Sequence, residues 1–346
     1  MNNRSLNSFL EVDVNNVQNY LHDKRRLQPE ETATVELLAW GVSNVVLRVT
    51  TSTGSEFVLK QSSEQLRTEV LWKSRLDRIY RECDVMRTVV EFLPAAAVPQ
   101  ILFEDRENYL FAMQAVAADH IIWKADLLNG NIDPAIAASA GDILSAIHFH
   151  TADDNTCQTR YADREVFVQL RVDPFYRYIA RAHPQLQPAI EELITEMWQT
   201  TLCVVHADFS PKNILISELG VTLVDYETAH YGDPAFDIGF FLSHLLLKSV
   251  LHAERADELL QLCTTFWEHY IAGLGELRSH PKWNSMALER RSVQHLAACM
   301  LSRIEGTSTV DYLTKPDQQQ QVLTYCYALF NEPVLSFEDA FHHLHP

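Results

Sequence analysis

His206-Ala207-Asp208-Phe209-Ser210-Pro211-Lys212-Asn213, followed one hairpin later by Val224-Asp225-Tyr226-Glu227, carries the densest polar chemistry in the chain. The apolar runs CVV, NILIS and VTLVDY between Leu202 and Glu227 enclose it, so these loops are held by strands, where a scaffold can present reactive groups rigidly. Asn213 stands five positions after Asp208, and Asp225 closes the next hairpin. Asn213 and Asp225 are hard oxygen ligands that can converge on Mg²⁺, an ion that favours carboxylate, carbonyl and water and shares its shell with substrate phosphates. Asp208 is left free to accept a proton from a hydroxyl. Taken singly, each residue reads equally as a turn cap or an Asx turn; the set, placed between apolar strands, points to chemistry.

Upstream, Thr34 to Ser62 reads as three short β-branched runs, TVELLAW, NVVLRVTT and EFVLKQS, broken at Gly41-Val42-Ser43 and Ser52-Thr53-Gly54. An antiparallel meander is expected. Lys60 sits in the apolar strand Phe57-Val58-Leu59-Lys60, where an inward ammonium needs a partner because burying it unpaired is costly. The candidates are Glu82, on a long helical pattern from Glu64 to Phe92, with Glu69 and Glu91 as weaker choices. Gly41-Val42-Ser43-Asn44 can fold over phosphates with its backbone N–H groups, or simply close a hairpin. Two further strands, Gln100 to Glu104 and Tyr109 to Gln114, complete a small sheet with one long helix.

Beyond Ala115 to Asp119 the pattern turns almost wholly helical, apart from the strand island described above. Helices are expected over Asp133 to His150, Arg164 to Ala182, Pro188 to Gln199, Phe236 to Lys248, Ala253 to Gly273, Ser285 to Ile304 and Lys315 to Phe330. Asp233 reads as the N-cap of one of them, with Pro234 at its first position, and Asp237 as a brace for the backbone of the His206 to Asn213 loop. His148 reads as a packed core histidine. The division is an α+β bilobal fold: residues 1–115 as a small antiparallel-sheet lobe with one long helix, residues 116–346 as a larger, mainly helical lobe.

The chain has 346 residues, 47% hydrophobic and 21% charged, enough to bury a large core and too apolar for wholesale disorder. Its net charge of −18 argues against nucleic acid as a partner, since such binders carry a basic face. A cationic small molecule would suit that balance; so would a solubility role with no ligand behind it. The six cysteines lie far apart, as expected of reduced thiols in a cytoplasmic protein. No amino-terminal leader pattern is present, and the most apolar window, Phe236 to Leu247, reads as too short for a membrane span, so a soluble, unprocessed chain is expected.

Together these motifs resemble the aminoglycoside phosphotransferase and choline kinase superfamily of small-molecule kinases, which share the protein-kinase-like fold. GVSNVVLRV resembles its nucleotide loop, FVLK its phosphate-binding strand, YRECDVM its paired-glutamate helix, MQAVAAD its hinge and ILSAIHFH a helix ending in Leu/Ile-His. HADFSPKN with VDYETAHYGDPAFDIG resembles its most specific region. The resemblance implies ATP and Mg²⁺ as cofactors, Asp208 as catalytic base, and Asn213 and Asp225 as metal ligands. It implies Lys60 on the phosphates, Glu82 positioning Lys60, and Ser43, Asn44, Met113 and Ala115 around the nucleotide. Glu227 reaches the metal site or the acceptor, or is structural. Where the family commonly has Gly, this sequence has Ala207, a change expected to be tolerated if φ there is not positive.

The acceptor pocket is expected from Trp123, Tyr176, Arg303, Glu305 and Tyr312, for an amino sugar, amino alcohol, sugar or hydroxy amino acid. A protein kinase is disfavoured because no Ala-Pro-Glu-like anchor follows Asp225. A nucleotide-binding module without turnover is the alternative to an enzyme.

Overall fold

The computed structural model describes residues 9–38, 44–63, 74–332 and 334–345. Five strands, β1 (Ala33–Leu37), β2 (Asn44–Thr51), β3 (Glu56–Ser62), β4 (Ile101–Asp105) and β5 (Leu110–Gln114), form one sheet in the order β1-β2-β3-β5-β4. Every neighbouring pair is antiparallel. Strand alternation sorts β3 between two environments. Phe57 and Leu59 pack in an outer core with Val17, Tyr20 and Leu21 of helix α1 (Val17–Asp23), while Val58 and Lys60 face the cleft between the lobes. The strand pattern gave no sign of α1. It is tied down by long-range bonds: Gln61 Oε1 accepts from Val12 N–H at 2.8 Å, and Tyr20 Oη donates to Asp105 at 3.0 Å.

The long helix predicted over 64–92 is shorter. Helix α2 spans Arg78–Val89, residues 74–77 are not helical, and 64–73 lie outside the described residues together with the candidate partner Glu69. Its buried face, Ile79, Glu82, Cys83, Met86 and Val89, carries the expected three-and-four spacing and brings Glu82 inward.

A short strand β6 (Ile121–Ile122) and helix α3 (Trp123–Leu128) follow the sheet, and then α4 (Pro134–Thr151) opens on the Asp133 N-cap. After α5 (Asn155–Arg160), the single helix expected over 164–182 resolves into α6 (Glu165–Phe167), a π-helical stretch Val168–Arg177 and α7 (Tyr178–Ala182). Pro174 lies inside the π-helical turns. It has no N–H to donate and would clash with the carbonyl four residues back, so a wider turn relieves what an α-helix would have to break.

Helix α8 (Gln187–Gln199) leads into the strand island: β7 (Cys203–Val205), β8 (Ile214–Ser217) and β9 (Gly220–Leu223), with β10 (His230–Gly232) returning to pair with β7. Helices α9 (Pro234–Leu251), α10 (Ala256–Gly273), α11 (Ser285–Glu305), α12 (Pro316–Asn331) and α13 (Phe337–Leu344) complete the larger lobe.

By length and composition α9 could cross a membrane, against the expectation of too short an apolar run, but it is almost wholly buried inside this lobe. It packs closely on α11: a Cβ at Gly239 would stand 2.4 Å from the Ser292 carbonyl oxygen. All six cysteines are free and buried.

Candidate active site

The site begins with a carboxylate that never meets solvent. Asp237, in the first turn of α9, accepts the backbone N–H of His206 and of Ala207, both at 2.7 Å, and its Oδ2 lies 3.3 Å from His148 Nε2. His148 is buried and its Nδ1 pairs with Tyr270 Oη at 2.9 Å, a packed core histidine. Asp233 caps α9 through Ala235 N–H at 3.0 Å and also binds Arg291. His206 continues the scaffold: its Nε2 donates to Val224 O at 3.2 Å and its Nδ1 accepts the Asp208 N–H at 3.2 Å. Burial holds its pKa below the ordinary imidazole value, which suits a neutral ring with one donor and one acceptor.

This bracing fixes the loop in an unusual shape, for Ala207 has φ +61° and Asp225 φ +72°. Ala207 was expected to be tolerated in place of Gly only if φ there is not positive; φ is positive. The left-handed conformation costs an Ala about 1–2 kcal/mol, and the two Asp237 bonds oppose that cost. Ala207→Val, which adds β-branching at this φ inside a packed core, should cost about 3 kcal/mol or more of unfolding free energy in denaturant titration. Ala207→Gly should stay within about 1 kcal/mol of wild type, because relief of strain is offset by a more flexible unfolded chain and a lost methyl.

Asp208 is 3% exposed, with Arg171 Nη2 at 2.5 Å and Lys212 Nζ at 2.8 Å. Burial raises its pKa, but those two cations outweigh burial and hold the carboxyl well below the usual range. Asn213 Nδ2 donates to both the carbonyl and Oδ2 of Asp208 at 2.9 Å. Arg171 also donates from Nε to Ala207 O at 2.8 Å.

Across the cleft, Lys60 Nζ lies 2.9 Å from Glu82 Oε1 and 2.6 Å from Asp225 Oδ1. Burial alone would lower the Lys60 pKa; the carboxylates of Asp225, Glu82 and Glu227 reverse that and raise it. Burial pushes the Glu82 carboxyl up to about 7, against the pull of Lys60. Glu227 Oε2 accepts from Asn44 Nδ2 at 2.8 Å and Arg78 Nε at 3.0 Å, tying β2 and α2 to the loop after β9.

Lys60, Glu82, Asn44, Asn213 and Asp225 line one cleft of about 710 Å³, with Met113, Val46, Val58, Leu215 and Val224 forming apolar walls. Ala115 is not in that lining, although its neighbours Gln114 and Val116 are. Ser43 lies outside the described residues. Oxygens of Glu82, Asp225 and Glu227 come within 4.8 Å of one another, an all-oxygen donor set of the kind Mg²⁺ takes.

The expected acceptor residues separate. Tyr176 bonds His295 at 2.6 Å in the core, and Trp123 is fully buried among core residues. Glu305 is exposed, 3.0 Å from His183 Nε2, and no contact brings it to Asp208. Arg303 lies close enough to feel the Asp208 charge, and Tyr312 feels Arg303. The acidic excess of the chain does not gather beside Asp208, where the charged partners are Arg171 and Lys212.

Three residues escaped the sequence reading. Lys212 stands in the quoted motif, four positions after Asp208, and its place in that short loop was a usable signal. Arg171 and Arg48 had none: Arg48, which lines the cleft, bonds Val116 O at 3.1 Å and pairs with Glu56.

An antiparallel sheet over a helical lobe, with a buried lysine–glutamate pair facing a loop-held aspartate, defines the bilobal, protein-kinase-like class of phosphotransferases. The chain belongs to the phosphotransferase enzyme family, which matches it over residues 34–288. It is 26% identical over 248 residues to the methylthioribose kinase of Yersinia pestis (strain Pestoides F), covering 64% of this chain and 60% of that protein. The match therefore spans less than two thirds of that relative. Among solved structures it is similar to the amicoumacin kinase hAmiN in complex with AMP-PNP, Ca²⁺ and Ami, with a TM-score of 0.54, 17% identity and coverage of 94% of this chain and 97% of that one. It is also similar to choline kinase from Cryptosporidium parvum Iowa II, with a TM-score of 0.53, 11% identity and coverage of 96% and 94%. Likeness at such identity shows a shared fold.

Proposed function

We propose that the chain is an ATP- and Mg²⁺-dependent kinase that moves the γ-phosphate to a hydroxyl of a small molecule. The observation that supports this most is the convergence of Lys60, Glu82, Asn213 and Asp225 on one cleft, with Asn213 bonded directly to Asp208. In this reading residues 1–115 hold the nucleotide: the base between apolar walls near Met113 and Ala115, the phosphates beside Asn44 and Lys60. Residues 116–346 carry the loop and the acceptor. Asn213 and Asp225 would hold Mg²⁺, which supplies charge neutralisation on the phosphate oxygens. Lys60, released from Asp225 as phosphates enter, keeps its Glu82 partner and stays charged. Asp208 accepts the hydroxyl's hydrogen bond and orients it in line with the phosphate. Glu227 acts as a tie between the lobes.

Phosphoryl transfer needs little else from a protein than positioning and electrostatic support. Lys60→Met should therefore lower kcat/KM for ATP by about 100-fold or more in a coupled ADP-release assay. A variant within threefold of wild type would remove Lys60 from this role.

The acceptor is found by screening a metabolite library for Mg-ATP-dependent ADP release, with the product identified by mass. The curated relative's substrate, methylthioribose, belongs in that screen beside amino sugars, amino alcohols, sugars and hydroxy amino acids. Tight Mg-ATP binding with no ADP release across such a panel would favour the module without turnover.

A further inference from the structure

Behind Asp208 the larger lobe is basic. Phe175 and Phe240 stack with centroids 5.9 Å apart, and two guanidinium groups sit over the pair: Arg171 Cζ 5.6 Å from the Phe240 centroid and Arg303 Cζ 4.8 Å from that of Phe175. Arg303 Nη1 donates to Ser308 O and Oγ, both at 2.8 Å, but its Nε is buried with no hydrogen-bond partner. One turn along α9 from Phe240, the His244 ring meets Phe240 edge-on at 4.9 Å, and its buried Nε2 also has no partner.

A further turn along stands Lys248, 1% exposed. Its Nζ makes one hydrogen bond, to the His244 carbonyl at 3.0 Å, and lies 5.4 Å from the centroid of Tyr312, whose own buried hydroxyl has no partner. Among the described residues neither Lys248 nor Arg303 forms an ion pair with a carboxylate.

The charges around Lys248 make matters worse rather than better. Burial pulls its pKa down to about 7, and the charges that act on it, Lys124 and Arg303, push the same way. Lys248 and Arg303 each stand in the last turn of a helix, α9 and α11, whose end offers only about half a negative charge. Asp208 is already matched by Arg171 and Lys212. In a chain of net charge −18, a buried lysine beside a half-buried arginine, neither paired with a carboxylate among the described residues, with three orphaned polar atoms close by, is a built feature, and desolvating such groups is costly without a counter-charge.

We propose that this basic cluster receives an anionic group of the phosphoryl acceptor, with Lys248 and Arg303 as its ligands, so that the acceptor is a hydroxyl compound carrying a carboxylate or a phosphate. The inference rests on the kinase reading for the hydroxyl and on the cluster alone for the anion. It reverses the cationic acceptor that the net charge suggested.

Matched probes decide it: glycerate, glycerol and glycerol 3-phosphate; gluconate and glucose; and choline as the cationic arm. Binding is read by calorimetry on the full chain with AMP-PNP and Mg²⁺ present, and turnover by ADP release. At least one acid or phosphate should bind tenfold or more tightly than its neutral partner, the carboxylate and phosphate arms showing which anion is used. Lys248→Met should reduce that preference at least tenfold. Equal binding within each matched set, or preference for the neutral or cationic member, overturns the inference, and the wild-type comparison alone suffices if the variant folds poorly. Lys248-dependent anion binding with no ADP from any acceptor would sink the kinase reading and leave the anion site standing. ADP release from neutral or cationic acceptors only would do the reverse.

Discussion

Asp208→Asn should lower kcat/KM for phosphoryl transfer by about 1,000-fold while leaving the dissociation constant of Mg-ATP within about threefold of wild type. The split follows from where Asp208 sits. Its carboxylate contacts Arg171, Lys212 and Asn213, whereas Lys60, Glu82 and Asp225 line the cleft proposed for the nucleotide. Two cations hold its pKa well below the usual range, so it is a weak proton acceptor in the ground state. On the proposed mechanism that is no handicap, because in a loose transition state the hydroxyl loses its proton late and the carboxylate's main work is orientation.

The amide keeps the shape and removes the charge, so a loss confined to kcat would assign the role to the carboxylate itself. Wild-type turnover in the variant would falsify the assignment. Loss of Mg-ATP binding together with turnover would place Asp208 in the nucleotide site instead.

The residues legible in the sequence are those whose meaning is local. Lys60 declares itself because a lysine in FVLK breaks an apolar strand, and strand alternation alone sends it to the same face as Val58. Asp208, Asn213 and Asp225 declare themselves by spacing within a strand–loop–strand unit. Glu82 follows from helical period, although the helix it stands on begins at Arg78, well after the pattern starts.

What stayed hidden depends on partners far away along the chain. Arg171 meets the Ala207 carbonyl across 36 positions, and Asn44 meets Glu227 across 183. No window of sequence contains both ends of such a bond. Lys248 only closes the helix expected over Phe236 to Lys248, and its meaning comes from its burial and from the lack, among the described residues, of a carboxylate paired with it. The positive φ of Ala207 was hidden for a different reason: alanine rarely adopts it, so the residue itself argues against the conformation that the Asp237 bonds impose.

Those bonds set up the second large effect. Asp237→Ala should cost about 4 kcal/mol of stability and most of the activity together. The side chain is fully buried; its Oδ2 takes the His206 N–H and meets His148 Nε2, and its Oδ1 takes the Ala207 N–H, so deletion leaves these buried donors without an acceptor. Each orphaned donor costs about 1–3 kcal/mol, and a loss of about 4 kcal/mol lowers the melting temperature of a chain this long by about 5 °C.

Activity should fall further than the folded fraction, because Ala207 loses what holds it at positive φ and Asp208 follows it in sequence. Asp237→Asn separates the two effects. Its oxygen can accept one of the two backbone N–H groups, but its NH₂ must face the other, so part of the stability returns while the loop remains displaced. In the asparagine variant, kcat measured well below the melting transition should be reduced by about 100-fold or more, as for other losses of reacting geometry. A variant as active as wild type at that temperature would show that Asp237 holds the core together without setting the position of Asp208.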